Sequence, residues 1–233
     1  MRHRIRQLIL FDIDGTLISQ GESSRKLIDL MVKDISKFSP KLTLEDVAGL
    51  TDPLIVENAL RRTGVKESLL QSAINDILYN YPQRLKTIYD NDEEVFVYQD
   101  AIRLAQGCKA EGWEIALLSG NIREAAKIKL DRFSLWEMFE FGLFGDDARN
   151  REDLLWMAEE EAWVTFGESF THDRMVLIGD TVHDAKAAKL NNVRSLIVCR
   201  SSDIPKNIRE VRPTWLVNSL KDTERILRWL KVE

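Results

Sequence analysis

Short apolar runs separated by stretches of helical periodicity punctuate this chain, and that alternation leaves few folds open. The runs cover residues 8–13, 114–119, 140–144, 175–179 and 195–199, with a weaker sixth at 214–217. Helical patterns occupy residues 99–111, 122–130, 150–163, 185–191 and 220–232. Apolar runs this short, bounded by turn signals, read as strands buried on both faces. Strand–helix alternation predicts a doubly wound, Rossmann-like α/β parallel sheet.

One interval breaks the rhythm. Between Ile18 and roughly Glu94 only helix-period pattern occurs: Leu27, Leu30, Met31 and Ile35; Leu54, Ile55, Ala59 and Leu60; Leu69, Leu70, Ile74, Ile77 and Leu78. Helix stops are expected at Ser39 and Pro40, Gly49, Gly64 and Pro82. A crossover between parallel strands needs only a dozen residues or so. The interval is therefore expected to be an inserted α-helical domain, residues 18–94, on a core of residues 1–17 and 95–233. It hangs from the end of the first strand, where a helical cap can exclude water and choose substrates.

That strand end carries the chemistry. Leu8 to Phe11 leads into Asp12 and Asp14, then Gly15 and Thr16. Parallel sheets bind ligands outside the carboxyl ends of their strands, so this rim offers two carboxylates, a flexible glycine and a hydroxyl. Strand alternation would point the two aspartates apart, so Asp14 must lie where the chain bends, which Gly15 permits. Burying carboxylates without a cation or donors is costly. The second strand ends at Ser119, Gly120 and Asn121 before a helix, a grouping that suits an anion. The fourth ends at Asp180, with Asp184 four residues on. Four aspartates on two strand ends call for a hard divalent cation, and Mg²⁺ takes one or two carboxylates plus phosphate oxygens and water. Asn150 reads as a helix N-cap with Asp153 at the third helical position. That puts Arg151 in a first turn, where the dipole disfavours a cation; Arg149 is its rival for holding a phosphoryl group.

Bulk properties narrow the function classes. The 233 residues suffice for one sizeable core plus an insert. A net charge of −5 argues against a general nucleic-acid binder. The apolar run after the basic N-terminus is cut by Asp12, too soon for a signal peptide or a membrane span. Cys108 and Cys199 read as reduced core thiols of a cytoplasmic protein. His183 reads as an exposed loop histidine, and His3 and His172 have no ligand-like neighbours in sequence. The tryptophans, Trp136, Trp156 and Trp163 among them, read as core or cap packing, and EDLLWMAEEEAW as a solvated acidic helix face.

FDIDGTL, LLSGN and LIGDTVHDAKAAK, in that order and separation, resemble the haloacid dehalogenase-like superfamily, in particular its phosphoglycolate phosphatase-like members with a helical cap after the first motif. GLTDPLIVENALRRTGV is similar to the cap of such phosphatases, although Leu50 stands where many relatives carry a basic residue. The resemblance implies a phosphatase of small phosphorylated metabolites. In it Asp12 is the nucleophile that forms an aspartyl-phosphate, Asp14 is the general acid/base, and Ser119 binds phosphoryl oxygens. It implies Mg²⁺ held by Asp12, the Asp14 backbone carbonyl and Asp180, with Asp184 supporting its water shell. Where the family's third motif usually has a lysine, ARNREDLL stands here, and Arg151 fits that place. Thr16, Gly120 and Asn121 complete the expected substrate site. A phosphomutase shares this chemistry, and a non-catalytic phosphate-binding module is the rival from another class. The acid at Asp14 disfavours a dehalogenase or a phosphonoacetaldehyde hydrolase.

Overall fold

The computed structural model describes residues 6–201 and 204–231; His3 and Val232 lie outside them. Among the described residues six strands form one sheet: β1 (Leu8–Phe11), β2 (Glu114–Leu118), β3 (Gly142–Leu143), β4 (Met175–Gly179), β5 (Arg194–Val198) and β6 (Trp215–Val217). All pair in parallel, in the order β3-β2-β1-β4-β5-β6. Strand order reverses between β1 and β4, which makes their carboxyl ends the switch point where α/β sheets bind ligands.

β1, β2 and β4 are buried on both faces, while the edge strand β6 is half-buried. Ile9, Phe11, Ile115, Leu117, Val176 and Ile178 join one core; Leu8, Leu10, Ala116, Leu118, Met175 and Leu177 join the other. The first core is covered by α4 (Gln99–Ala110), α5 (Arg123–Asp131) and α9 (Thr223–Leu230), the second by α6 (Arg151–Phe166) and α7 (Val182–Leu190). Helices on both faces are what continuous apolar strands require. A short α8 (Lys206–Val211), unanticipated because its apolar content is slight, packs Ile208 against α7 and β5. Cys108 and Cys199 are buried thiols.

Between β1 and α4 run three helices: α1 (Ser23–Ser36), α2 (Asp52–Arg62) and α3 (Glu67–Tyr89). The chain leaves and re-enters side by side. Ser19 N–H donates to Phe96 O at 2.8 Å, Tyr98 N–H to Leu17 O at 2.9 Å, and Ser19 Oγ to Glu94 O at 2.9 Å.

Several expectations are corrected. Pro82 does not stop a helix; α3 continues through it. Ile77, Tyr81, Leu85 and Tyr89 are buried on either side of it, and side chains worth ~1.5–3 kcal/mol each outweigh a local loss of ~3 kcal/mol. Trp156 and Trp163 do not pack in a core: they are 69% and 58% exposed, on the solvated face of α6. Trp136 does pack, stacked on Phe144. His183 is half-buried in the first turn of α7 rather than in an exposed loop. That helix begins at Val182, ahead of the expected 185, because Thr181 and Asp184 close a capping box: Thr181 Oγ1 accepts from Asp184 N–H, and Asp184 accepts from Thr181 N–H at 3.0 Å.

Candidate active site

β1 ends at Phe11, so Asp12 is the first residue past the sheet, with its N–H still donating to Ile178 O at 2.9 Å. Its side chain is buried. Gly15 at φ +84 turns the loop, which brings Asp14 round to the rim. A Cβ at Gly15 would stand 2.5 Å from Asp180 Cγ, so glycine is what lets the Asp180 carboxylate lie against the β1 loop where it stands.

Asp12, Asp180 and Asp184 each bring a carboxylate oxygen within 4.8 Å of the others. Burial pushes Asp12 up to about 7; Arg151 pulls it down, and Asp184 and Asp14 push it further up. Burial, then Asp12 and Asp184, push Asp180 well above the ordinary carboxylate range. Asp180 Oδ1 is buried without a hydrogen-bond partner among the described residues. An all-oxygen set this crowded fits a hard divalent cation such as Mg²⁺, which would relieve the repulsion.

Arg151 is also buried. Its Nη2 donates to Asp12 Oδ1 at 2.6 Å and its Nη1 to Asp184. Those two carboxylates compensate a cation in the first turn of α6, where the helix dipole alone would disfavour it. Asn150 is the N-cap residue as expected, although its side chain caps no N–H. Arg149 points elsewhere: its side chain is largely exposed and pairs with Glu57 of α2 at 2.8 Å.

Asp14 Oδ2 accepts from Asn121 Nδ2 at 2.6 Å and from Lys129 Nζ at 2.7 Å. Ser119, fully buried at the end of β2, accepts from Asn121 Nδ2 at 2.9 Å. Asp12, Asp14, Gly120, Asn121, Lys129, Arg151 and Asp180 line one cavity, closed from the other side by Ser24, Arg25, Ile28, Leu50, Asp52 and Ile55 of the inserted segment. Ser119, Thr16 and Asp184 stand behind that wall rather than on it. The insert is tied to the rim: Asp52 N–H donates to Gly120 O at 2.7 Å, Ile122 N–H to Asp52 Oδ2 at 2.8 Å, and Thr51 Oγ1 to Arg149 O at 2.8 Å.

Sequence reasoning missed Lys129. The signal was available: with Ala125, Ala126 and Leu130 it makes up the buried stripe of α5, and a lysine on a buried stripe has to be paired.

The family model for haloacid dehalogenase-like hydrolases matches residues 9–189. A phosphoglycolate phosphatase from Colwellia psychrerythraea is 22% identical, over 95% of this chain and 97% of its own length. The pyrophosphatase PpaX from Halalkalibacterium halodurans is 23% identical, over 92% and 93%. Among solved structures, a predicted phosphatase from Clostridium acetobutylicum superposes with a TM-score of 0.73 at 20% identity, covering 96% of this chain and 99% of that one.

Proposed function

Because the chain belongs to the haloacid dehalogenase-like hydrolase family, we propose that it is a Mg²⁺-dependent phosphatase of small phosphorylated metabolites that works through an aspartyl-phosphate on Asp12. The observation that carries the proposal is a buried carboxylate at the switch point of the sheet, held by a buried arginine and flanked by Asp14, Asp180 and Asp184.

A carboxylate nucleophile divides phosphoryl transfer into two easier steps. Asp12 attacks phosphorus while the ester P–O bond breaks, and Asp14 gives its proton to the leaving oxygen. Asp14 then takes a proton from water as that water attacks the aspartyl-phosphate, which frees Asp12 and inorganic phosphate. Arg151, already on Asp12, meets the charge on the transferring group, and Asn121 with the Gly120 backbone bounds the phosphoryl pocket. Mg²⁺, held by Asp12, the Asp14 backbone carbonyl and Asp180 with Asp184 behind them, would neutralise charge as the phosphoryl group moves.

Residues 18–94 act in this proposal as a helical cap on a core of 1–17 and 95–233. With Asp52, Leu50 and Arg25 over the cavity, the cap excludes water and faces the leaving group. Phosphoglycolate and pyrophosphate, named by the relatives, are the first substrates to test. No helix among the described residues is long and apolar enough to cross a membrane, and we assign the protein to the cytoplasm, where its two buried thiols stay reduced.

The test is phosphate release from p-nitrophenyl phosphate, 2-phosphoglycolate and pyrophosphate, with and without Mg²⁺. Mg²⁺-dependent release, with Asp12→Asn folded but inactive and acid-quenched phosphoenzyme labelled at Asp12, is the expected result. No release from any of them points to a phosphate-binding module. Sugar-phosphate interconversion outpacing release points to a phosphomutase.

A further inference from the structure

Lys129 is 2% exposed, and an ammonium that far from water costs several kcal/mol unless its bonds are good. It is 115 residues from Asp14 in sequence, yet its Nζ donates to Asp14 Oδ2 at 2.7 Å and to Asn121 Oδ1 at 2.6 Å. Asn121 Nδ2 in turn donates to the same Asp14 oxygen at 2.6 Å. Asp14, Asn121 and Lys129 thus form a closed triangle in which each residue bonds the other two. The triangle also settles the Asn121 amide. Lysine has only donors to offer, so the amide oxygen must face Lys129 and the NH₂ must face Asp14 and Ser119.

The consequence falls on Asp14. Its Oδ2 is occupied by two donors, while Oδ1 is buried with no hydrogen-bond partner among the described residues. We infer that Lys129 is a positioning residue: with Asn121 it clamps one oxygen of Asp14, so that the other, Oδ1, is the oxygen presented to the reacting groups. This rests on the assignment of Asp14 as general acid/base. In the first step the Asp12–P bond forms, the P–O bond to the leaving group breaks, and the proton on Asp14 Oδ1 passes to the leaving oxygen. In the second step Oδ1 receives a proton from the attacking water. Without the clamp the carboxylate is free to rotate, and both transfers lose their geometry while Asp12, Arg151 and the metal ligands keep theirs.

A merely structural lysine and a positioning lysine differ in how the variant responds to the leaving group. Lys129→Met keeps the length and apolar stem, and Lys129→Gln keeps a donor without the charge. Each is assayed with Mg²⁺ on p-nitrophenyl phosphate, whose leaving group departs without protonation, and on phenyl phosphate, whose leaving group needs a proton. For Lys129→Met we expect kcat on phenyl phosphate to fall by ~10²-fold, the low end for general acid–base catalysis, with KM changed by less than about threefold, since ground-state binding is untouched. On p-nitrophenyl phosphate, stopped flow should show a burst of nitrophenolate of about one per site at a rate near the parent's. A slow steady state should follow, because phosphoenzyme hydrolysis still needs Asp14. Lys129→Gln should lie between parent and Met, and decides the matter alone should the Met variant not fold. Parallel losses on the two esters with no burst, or no loss on either, overturn the inference. Failure of the unmutated protein to release phosphate refutes the phosphatase assignment instead, and is seen before any variant is made.

Discussion

Gly15→Ala separates the cost of backbone strain from the loss of a metal ligand. The strain follows from φ +84: a left-handed conformation costs a residue with a Cβ about 1–2 kcal/mol, or a fall in melting temperature of ~2–8 °C for a chain of this size. The second effect is steric. A Cβ would sit 2.5 Å from Asp180 Cγ, whereas carbon atoms pack at ~3.5–4.0 Å, so the Asp180 carboxylate must withdraw by about 1 Å. It is the end of a flexible side chain, so it can move without unfolding the protein, but in moving it leaves the cluster with Asp12 and Asp184. A tenfold weaker site is a conservative expectation, the low end even for residues that only support metal ligands (~10–100-fold). Thermal melts read both effects. At a Mg²⁺ concentration ~100 times the parent's Kd, binding adds about 2.7 kcal/mol to the parent and, with Kd tenfold higher, about 1.4 kcal/mol to the variant. Gly64→Ala is the control: φ there is +78, but no atom of the described residues lies within 4 Å of the added Cβ. It should show the strain and leave the Mg²⁺ response intact. If Gly15→Ala lowers the metal-free melting temperature yet responds to Mg²⁺ as the parent does, Asp180 is not a ligand and the metal site lies elsewhere.

Arg151→Ala should slow turnover by ~10²–10³-fold, the cost of removing one donor aimed at transition-state charge, while Arg149→Ala, which loses only a half-exposed pair with Glu57 away from the reacting groups, stays within twofold by kcat/KM; the reverse pattern would exchange their roles. Asp180→Ala should raise the Mg²⁺ requirement more than Asp184→Ala, and the latter should also lower the melting temperature, because it removes one half of the α7 capping box; equal Mg²⁺ titrations for both variants and the parent would contradict the metal assignment. Asp52 is pushed up to about 6, chiefly by burial, from an ordinary 3.8. The folded state therefore binds a proton more tightly than the unfolded state does. The resulting stability is fully present below about pH 4 and is lost as pH rises through about 6, a difference of about 3 kcal/mol. Asp52→Asn keeps an oxygen for Ile122 N–H, so its melting temperature should depend less on pH across that window than the parent's; identical profiles would refute the assignment.

What this sequence determined by itself is what local pattern controls. Uninterrupted apolar runs must be buried on both faces, so the six strands and the α/β class were legible, and so was an interval of pure helical period between β1 and α4. That Asp12 and Asp180 share a rim was legible because each directly follows a parallel strand, and such strands deliver their ends to a common rim; Asp14 lies two residues past Asp12, and Asp184 in the first turn of the next helix. Arg151 was legible as a cation on the wrong end of a helix. Tertiary structure decided what depends on partners distant in the chain. Pro82 sits inside a helix because packing on both sides outweighs its lost N–H, and Trp156 and Trp163 face solvent because no described residue covers that side of α6. α7 starts at Val182 because the side chains of Thr181 and Asp184 close a capping box. Lys129 is the sharpest case. Its place on the apolar stripe of α5 showed that it needed a partner, but not which one. Only the approach of α5 to the β1 loop, 115 residues away, turns it into a buried partner of Asp14, because a charge that deep is tolerated only where the fold supplies its counter-charge and hydrogen bonds.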